Sequence, residues 1–195
     1  MKSIPNILTI GRLVLTVVVL VCLIGAPAEP LLWIWAFFAF VVAAVTDFFD
    51  GWLARRMNAT SMLGAILDPI ADKTLVAAAI VGLAAGPLHG VALPGGLILF
   101  REFAVSALRE VLAPKGLKLP VTLLAKWKTT LQLLALGVLI FAPTWPLWGL
   151  PYPSNALARI ATIGATLLWL ATLVTIWTGV EYALAARKAL RAQAS

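Results

Sequence analysis

The chain has 195 residues, 62% of them hydrophobic and only 12% charged, with a mean hydropathy of +1.01. Those fractions exclude an ordinary soluble domain, and one cysteine with one histidine excludes a disulfide framework or a Cys/His zinc site. A formal charge of +7 would suggest nucleic acid in a soluble protein; here the basic residues border apolar runs, where they set topology and meet anionic lipid, so no nucleic-acid partner is expected.

A span needs roughly 20 mainly apolar residues, so the length allows about six crossings and little soluble structure. The expectation is an all-α integral membrane protein, one domain over 1–195, with six transmembrane helices and a short N-terminal interfacial helix. The first predicted helix covers 5–25. Its opening, "SIPNILTIGR", reads as the interfacial segment, with Asn6, Thr9 and Arg12 near one face and Ile4, Ile7 and Leu8 toward lipid. Lys2, the run from Leu13 to Ile24 and "APA" at 26–28 imitate a cleaved signal peptide, but Pro27 and Pro30 crowd the cut, and retention is expected.

"GAPAEP" then leads into a helix over 31–56, "RRMNAT" into 61–86, and "GPLHGVALPGG" into 92–113. "APKGLKLP" precedes 121–142, and "APTWPLWGLPYPSN" precedes 156–188. Such short breaks make sequential helices antiparallel. Lys2 and Arg12, Arg55 and Arg56, the group Arg109, Lys115, Lys118, Lys126 and Lys128, and Arg187, Lys188 and Arg191 all fall on one side of this hairpin pattern. By the positive-inside rule both termini and the second and fourth breaks are cytoplasmic. Trp33, Trp35, Trp145 and Trp148 are expected in the interfacial aromatic belt, and Lys115, Lys118 and Lys128 at topology or lipid contacts.

Half of the eight acidic residues lie in "DFFDGWLARRMNATSMLGAILDPIADK", residues 47–73. Asp47 and Asp50 are three apart on the second helix; Asp68 and Asp72 are four apart on the third, so each helix presents a carboxylate pair on one face. At a rise of about 1.5 Å per residue, Asp47 stands roughly 13 Å below Arg56, near headgroup depth. An ionised aspartate costs about 2.5–3.5 kcal/mol at a span's centre, and four also repel one another, so compensating cations are needed. Oxygen-only ligands favour Mg²⁺ or Mn²⁺, with Ca²⁺ an option, and two such ions suit phosphoryl transfer. The competing explanation is a set of buried salt bridges to Arg55, Arg56, Arg101 and Lys73. Gly51 beside Asp50 and Gly64 one turn before Asp68 would admit a nucleotide's sugar or phosphate, although close helix packing explains either glycine equally well.

Asp47, Asp50, Gly51, Ala54, Arg55, Gly64, Asp68 and Asp72 spell D-x2-D-G-x2-A-R-x8-G-x3-D-x3-D. This pattern resembles the signature of the CDP-alcohol phosphotransferase family. "IPNILTIGRL", "REFAVSALRE" and "KWKTTLQLLAL" extend the likeness over nearly every span and incline it toward the glycerol 3-phosphate branch. The resemblance implies a homodimer of six-helix protomers in the bacterial inner membrane, bound to membrane lipid, with a polar cavity open to the cytoplasm. It implies two Mg²⁺ or Mn²⁺ ions held by Asp47, Asp50, Asp68 and Asp72, with Asp72 also accepting the proton of the attacking hydroxyl. That hydroxyl would be the sn-1 group of glycerol 3-phosphate, attacking the β-phosphorus of CDP-diacylglycerol, expelling CMP and leaving phosphatidylglycerophosphate. CDP-diacylglycerol would rest against Gly51, Ala54 and Gly64, with Arg55 and Ser61 reaching phosphate or base and Asn6 and Thr9 closing over it. Ser61 has an alternative role as the cap of the third helix.

An acceptor phosphate needs fixed cations on the same cavity. Glu102, Ser106 and Arg109 recur at helical spacing on the fourth helix, and Lys126 opens the fifth above Thr129 and Thr130, which makes Arg109 and Lys126 the candidate anchors. Arg101 and Glu102 would pair with each other or across helices. The alternatives are a same-family synthase acting on inositol phosphate or phosphatidylglycerol and, from another class, a divalent-cation transporter. The non-cytoplasmic halves of the spans are almost wholly apolar, which opposes transport.

Overall fold

The structure, a computed structural model, describes the backbone of residues 3–57, 62–88, 90–113, 123–149, 153 and 155–194. Side chains are described for 7–47, 67, 70, 71, 73–88, 90–113, 127–149, 153, 155–188, 190 and 191. Among these residues six α-helices follow in order: α1 Ser3–Gly25, α2 Leu31–Met57, α3 Met62–Ala85, α4 Ala92–Leu112, α5 Leu123–Phe141 and α6 Ala156–Ala194. Each matches a predicted apolar run. α6 continues beyond 188 because "ALRAQA" is rich in strong helix formers although it is no longer apolar.

Two local expectations change. The N-terminal segment is not a separate interfacial helix but the first turns of a continuous α1. Pro5 sits within its first turn, where proline is tolerated, and Gly11, at a cost of about 1 kcal/mol, is too weak a breaker to end the helix. The stretch before α6, read as a loop, contains a 3₁₀ helix, Ala142–Trp148. Pro143 and Pro146 supply no N–H for an α-ladder, so tighter turns form, closed when Thr144 donates to the Phe141 carbonyl at 2.7 Å. Gly149, at φ 65°, ends it in the left-handed region that favours glycine.

α1 packs on α2 and α3, while α4 and α5 both pack on α6. The two groups of three join through contacts of α3 with α4 and α5 and of α2 with α5. Leu23, Phe40, Leu83, Ile98, Leu136 and Ile140 meet in the shared core. Glycines set the closest helix approaches. A Cβ on Gly82 would stand 2.6 Å from the Leu23 Cβ, one on Gly95 would stand 2.4 Å from an Ile80 methyl, and one on Gly164 would stand 2.8 Å from the Leu139 Cγ. Where hydrocarbon removes most of the hydrophobic drive between helices, such close backbone contact supplies much of the attraction.

The outer surface is apolar. Ile7, Ile10, Val14, Val17, Val21 and Ile24 make one exposed stripe on α1, opposite Thr9, Arg12 and Thr16, which are buried. Trp35 is exposed, but Trp33, expected beside it in the aromatic belt, is 5% exposed and belongs to the core. Two positions along a helix turn a side chain by about 200°, so one of the pair faces outward and the other inward. Among the described residues three helices are long and apolar enough to cross a membrane, over Ile7–Gly25, Trp127–Trp148 and Ala156–Lys188. Leu31–Asp47 and Lys73–Ala85 are shorter apolar stretches among the described residues. The chain is therefore a helical membrane protein.

If Gly82 lets α1 and α3 touch, Gly82→Leu should destabilise the detergent-purified protein by roughly 1–3 kcal/mol, read as a lower melting temperature. Gly96 faces open space, so Gly96→Ala should have no cost or stabilise by up to about 1 kcal/mol. A melting temperature unchanged by Gly82→Leu would contradict the close crossing.

Candidate active site

All six helices contribute to one polar cavity of about 570 Å³. Arg12 comes from α1, Asp47 from α2, Lys73 from α3, Arg101 and Arg109 from α4, Lys128 from α5 and Tyr182 from α6. Among the described lining residues five cations, Arg12, Lys73, Arg101, Arg109 and Lys128, face three carboxylates, Asp47, Glu102 and Glu110. Those cations can hold an anionic ligand by charge-assisted hydrogen bonds.

On one side Arg12 donates to Asp47 in a salt bridge between α1 and α2. Arg12 is 2% exposed and Asp47 retains 32% exposure. The pairing explains why a buried arginine stands on an otherwise apolar helix, since an unpaired charge at that depth would cost several kcal/mol. It also differs from the competing salt-bridge set, which did not include Arg12. Only one carboxylate oxygen is engaged with the guanidinium, and a carboxylate has about four acceptor sites, so Asp47 keeps capacity for a further partner.

The facing wall is built on α4. Glu102 accepts from Lys128 of α5 and from the Arg101 Nη1 at 3.2 Å. Arg101 Nη2 donates to the Thr178 hydroxyl of α6 at 2.9 Å. Arg109 Nη2 donates to the Tyr182 hydroxyl at 2.8 Å, with its guanidinium carbon 4.9 Å from that ring's centroid. Deeper in, Gln132 donates to Thr175 at 2.8 Å. The expected mutual pairing of Arg101 with Glu102 and their pairing across helices both occur. Lys128, by contrast, is not a lipid-facing topology residue: it is 7% exposed and ion-paired. Position 128 lies one turn before Gln132 on the inward face of α5, and burial requires the carboxylate that Glu102 supplies.

Of the predicted site residues, Asp47 and Arg109 line the cavity and Thr9 is buried one turn before Arg12 on α1. Asn6, Asp50, Gly51, Ala54 and Arg55 occupy helical positions on α1 and α2; Gly64, Asp68 and Asp72 occupy positions on α3, and Lys126 on α5, all with side chains outside the described set. Ser61 lies outside the described residues altogether. Ala71 and Lys73, the chain neighbours of Asp72, both line the cavity, as do Thr129 and Ser106. Among the described residues no three His, Cys, Asp or Glu side chains gather as a metal-binding group. The sequence reading missed Gln132, Thr175, Thr178 and Tyr182. The available signal was the recurrence of Thr172, Thr175, Thr178 and Tyr182 every three or four positions on an apolar span, the spacing of a single helix face.

The family described as CDP-alcohol phosphatidyltransferase matches residues 2–177. The chain is 39% identical to the CDP-diacylglycerol--glycerol-3-phosphate 3-phosphatidyltransferase of Rickettsia bellii, over 96% of this chain and 97% of that one. It is likewise 39% identical to the protein so named in Cereibacter sphaeroides, over 92% and 93%, and 38% identical to that of Shigella flexneri serotype 5b, over 95% of each. With a match across most of its length and relatives aligned over nearly the whole of both chains, the chain belongs to the CDP-alcohol phosphatidyltransferase family.

Proposed function

We propose that the protein transfers the phosphatidyl group of CDP-diacylglycerol to the sn-1 hydroxyl of glycerol 3-phosphate, giving phosphatidylglycerophosphate and CMP. The observation that carries this reading is the cavity itself, where Asp47 of the family signature and the α4 cations Arg101 and Arg109 line one space. One reactant brings a diphosphate and the other a phosphate, and both need that combination. The names of the relatives from Rickettsia, Cereibacter and Shigella support the acceptor.

The donor set fits divalent ions. Asp47 has free carboxylate capacity, and helical register puts Asp50 one turn beyond it on α2 and Asp68 and Asp72 one turn apart on α3. All-oxygen ligands suit two Mg²⁺ or Mn²⁺ ions, which when bound would offset the charge on the diphosphate. In the reaction Asp72 accepts the proton of the sn-1 hydroxyl, and that oxygen forms its bond to the β-phosphorus. The bond from this phosphorus to the oxygen bridging toward the cytidine breaks, and CMP leaves with the electron pair. Gly51, Ala54 and Gly64 give the nucleotide room, Arg55 and Ser61 reach its phosphate or base, and Asn6 and Thr9 cover it. Arg109 and Lys126 anchor the acceptor phosphate.

In this reading all six helices cross the bacterial inner membrane, both termini are cytoplasmic, the cavity opens to the cytoplasm and the protein is a homodimer. A divalent-cation transporter would need the polar lining to continue across the bundle. Instead Leu23, Leu83, Leu136 and Leu139, each at most 2% exposed, fill the space between the helices beyond the cavity.

An acceptor panel with detergent-purified protein, Mg²⁺ and CDP-diacylglycerol should yield phosphatidylglycerophosphate from glycerol 3-phosphate. Product from inositol phosphate or phosphatidylglycerol alone would reassign the acceptor, and no CMP release with any acceptor would sink the enzyme reading. Asp72→Asn should lower CMP release by at least roughly 10²-fold, the lower range for general-base loss, while the CDP-diacylglycerol-dependent rise in melting temperature persists. Parental turnover in that variant would remove Asp72 as the base. Arg109→Ala and Lys126→Ala should chiefly raise the KM for glycerol 3-phosphate, by about tenfold or more for each charge-assisted hydrogen bond lost. If neither changes it, the acceptor phosphate binds elsewhere.

A further inference from the structure

We infer that Tyr182 is a positioning residue for acceptor recognition: with Thr178 and Gly179 it forms a cradle on α6 that holds the Arg101 and Arg109 guanidinium groups at the cavity wall. This rests on the reading of the cavity as a glycerol 3-phosphate site.

Arg101 and Arg109 are eight positions apart on α4, and both lean on the same ring. The Tyr182 centroid lies 4.9 Å from the Arg109 guanidinium carbon and 5.6 Å from that of Arg101. Two guanidinium groups near one another repel, whereas the negative face of an aromatic ring attracts both. The phenol oxygen accepts from Arg109 Nη2 at 2.8 Å, fixing that group's angle as well as its distance. Tyr182 is itself 4% exposed, so its ring is held in place by the bundle.

Thr178 and Gly179 complete the cradle for Arg101. The one Thr178 hydroxyl proton is directed at the carbonyls of Val174 and Thr175, each at 3.0 Å, and the oxygen's lone pairs are free to accept from Arg101 Nη2. At Gly179 an added Cβ would stand 2.8 Å from the Arg101 Cγ and 3.3 Å from its Nε. A side chain there would displace the arginine stem. Arg101 Nε is buried and has no hydrogen-bond partner among the described residues. The arginine is thus placed by shape and by Thr178, at the cost of one unmet donor, and not by maximal hydrogen bonding.

Fixed cations bind a small dianion better than mobile ones, since the side-chain ordering cost is met before binding. Arg101, Arg109 and Tyr182 all line the cavity.

The test is steady-state kinetics of purified Tyr182→Phe, Tyr182→Leu and Gly179→Ala with saturating CDP-diacylglycerol and Mg²⁺ and varied glycerol 3-phosphate. Tyr182→Phe keeps the ring and loses the acceptor oxygen, so its KM for glycerol 3-phosphate should rise about tenfold, equivalent to about 1.4 kcal/mol. Tyr182→Leu loses ring and oxygen and should raise it further, and Gly179→Ala should raise it by moving Arg101. In all three, kcat should stay within a factor of about two of the parent, as expected when only ground-state and transition-state binding are lost together. The rise in melting temperature with CDP-diacylglycerol should match the parent's. A parental acceptor KM in both Tyr182 variants would overturn the inference. So would a Tyr182→Phe protein that loses kcat or its response to CDP-diacylglycerol, because the tyrosine would then serve the fold at large. Failure of the parent to use glycerol 3-phosphate would instead defeat the acceptor assignment, and the inference with it.

Discussion

Charge in an apolar bundle must be compensated where it stands, and this constraint organises the end of the molecule that holds the cavity. An unpaired ion taken out of water costs several kcal/mol, and removing one partner of a buried pair typically costs about 3–5 kcal/mol. Arg12 with Asp47 ties α1 to α2, Glu102 with Lys128 ties α4 to α5, and Arg101 with Thr178 ties α4 to α6. The polar site is therefore not a hole left by packing. Its own pairings hold the helices around it. Beyond the cavity the same helices are joined by a different contact, the close approach of glycine backbone to leucine or isoleucine at Gly82, Gly95 and Gly164.

This division explains what could be read in advance. Helix positions follow from apolar runs and their Pro/Gly breaks, because a membrane span is a long, one-dimensional signal, and α1 to α6 fall on the expected segments. The signature from Asp47 to Asp72 is equally local, and so are the further segments that carry the family resemblance. What escaped was pairing over long sequence distance. Arg12 finds Asp47 35 positions away, Lys128 finds Glu102 26 away, and Arg109 finds Tyr182 73 away. Nothing local separates a lysine that meets lipid headgroups from one that turns inward to a carboxylate, so Lys128 was misplaced. Trp33 and Trp35 fail for a similar reason: composition marks a tryptophan near a helix end, but only the helix's rotation decides which of two neighbours faces out.

The threonines of α6 are a middle case. Thr172, Thr175 and Thr178 are fully buried, yet each can satisfy its own hydroxyl on the preceding turn, as Thr172 does on Leu168 at 2.7 Å. A self-satisfied threonine is cheap in a membrane helix, so it is a weak pointer to function. The regular spacing of all three, followed by Tyr182, is what separates a polar face from scattered hydroxyls.

The cavity's two walls come from different parts of the chain, and the chemistry gives a reason. In the reading proposed above the carboxylates serve divalent ions and the cations a phosphate, and pairing with one another weakens both. Separation onto different helices limits that pairing without removing it, since Arg12 is bound to Asp47 and Lys128 to Glu102. The signature aspartates occupy α2 and α3, while Arg101 and Arg109 stand on α4 and brace against α6, and Lys128 stands on α5 and pairs with Glu102. α3 packs against both α4 and α5, so it sets the spacing between the walls. The α4 cations are braced from α6 by Thr178 and Tyr182, through contacts that do not involve α2 or Asp47.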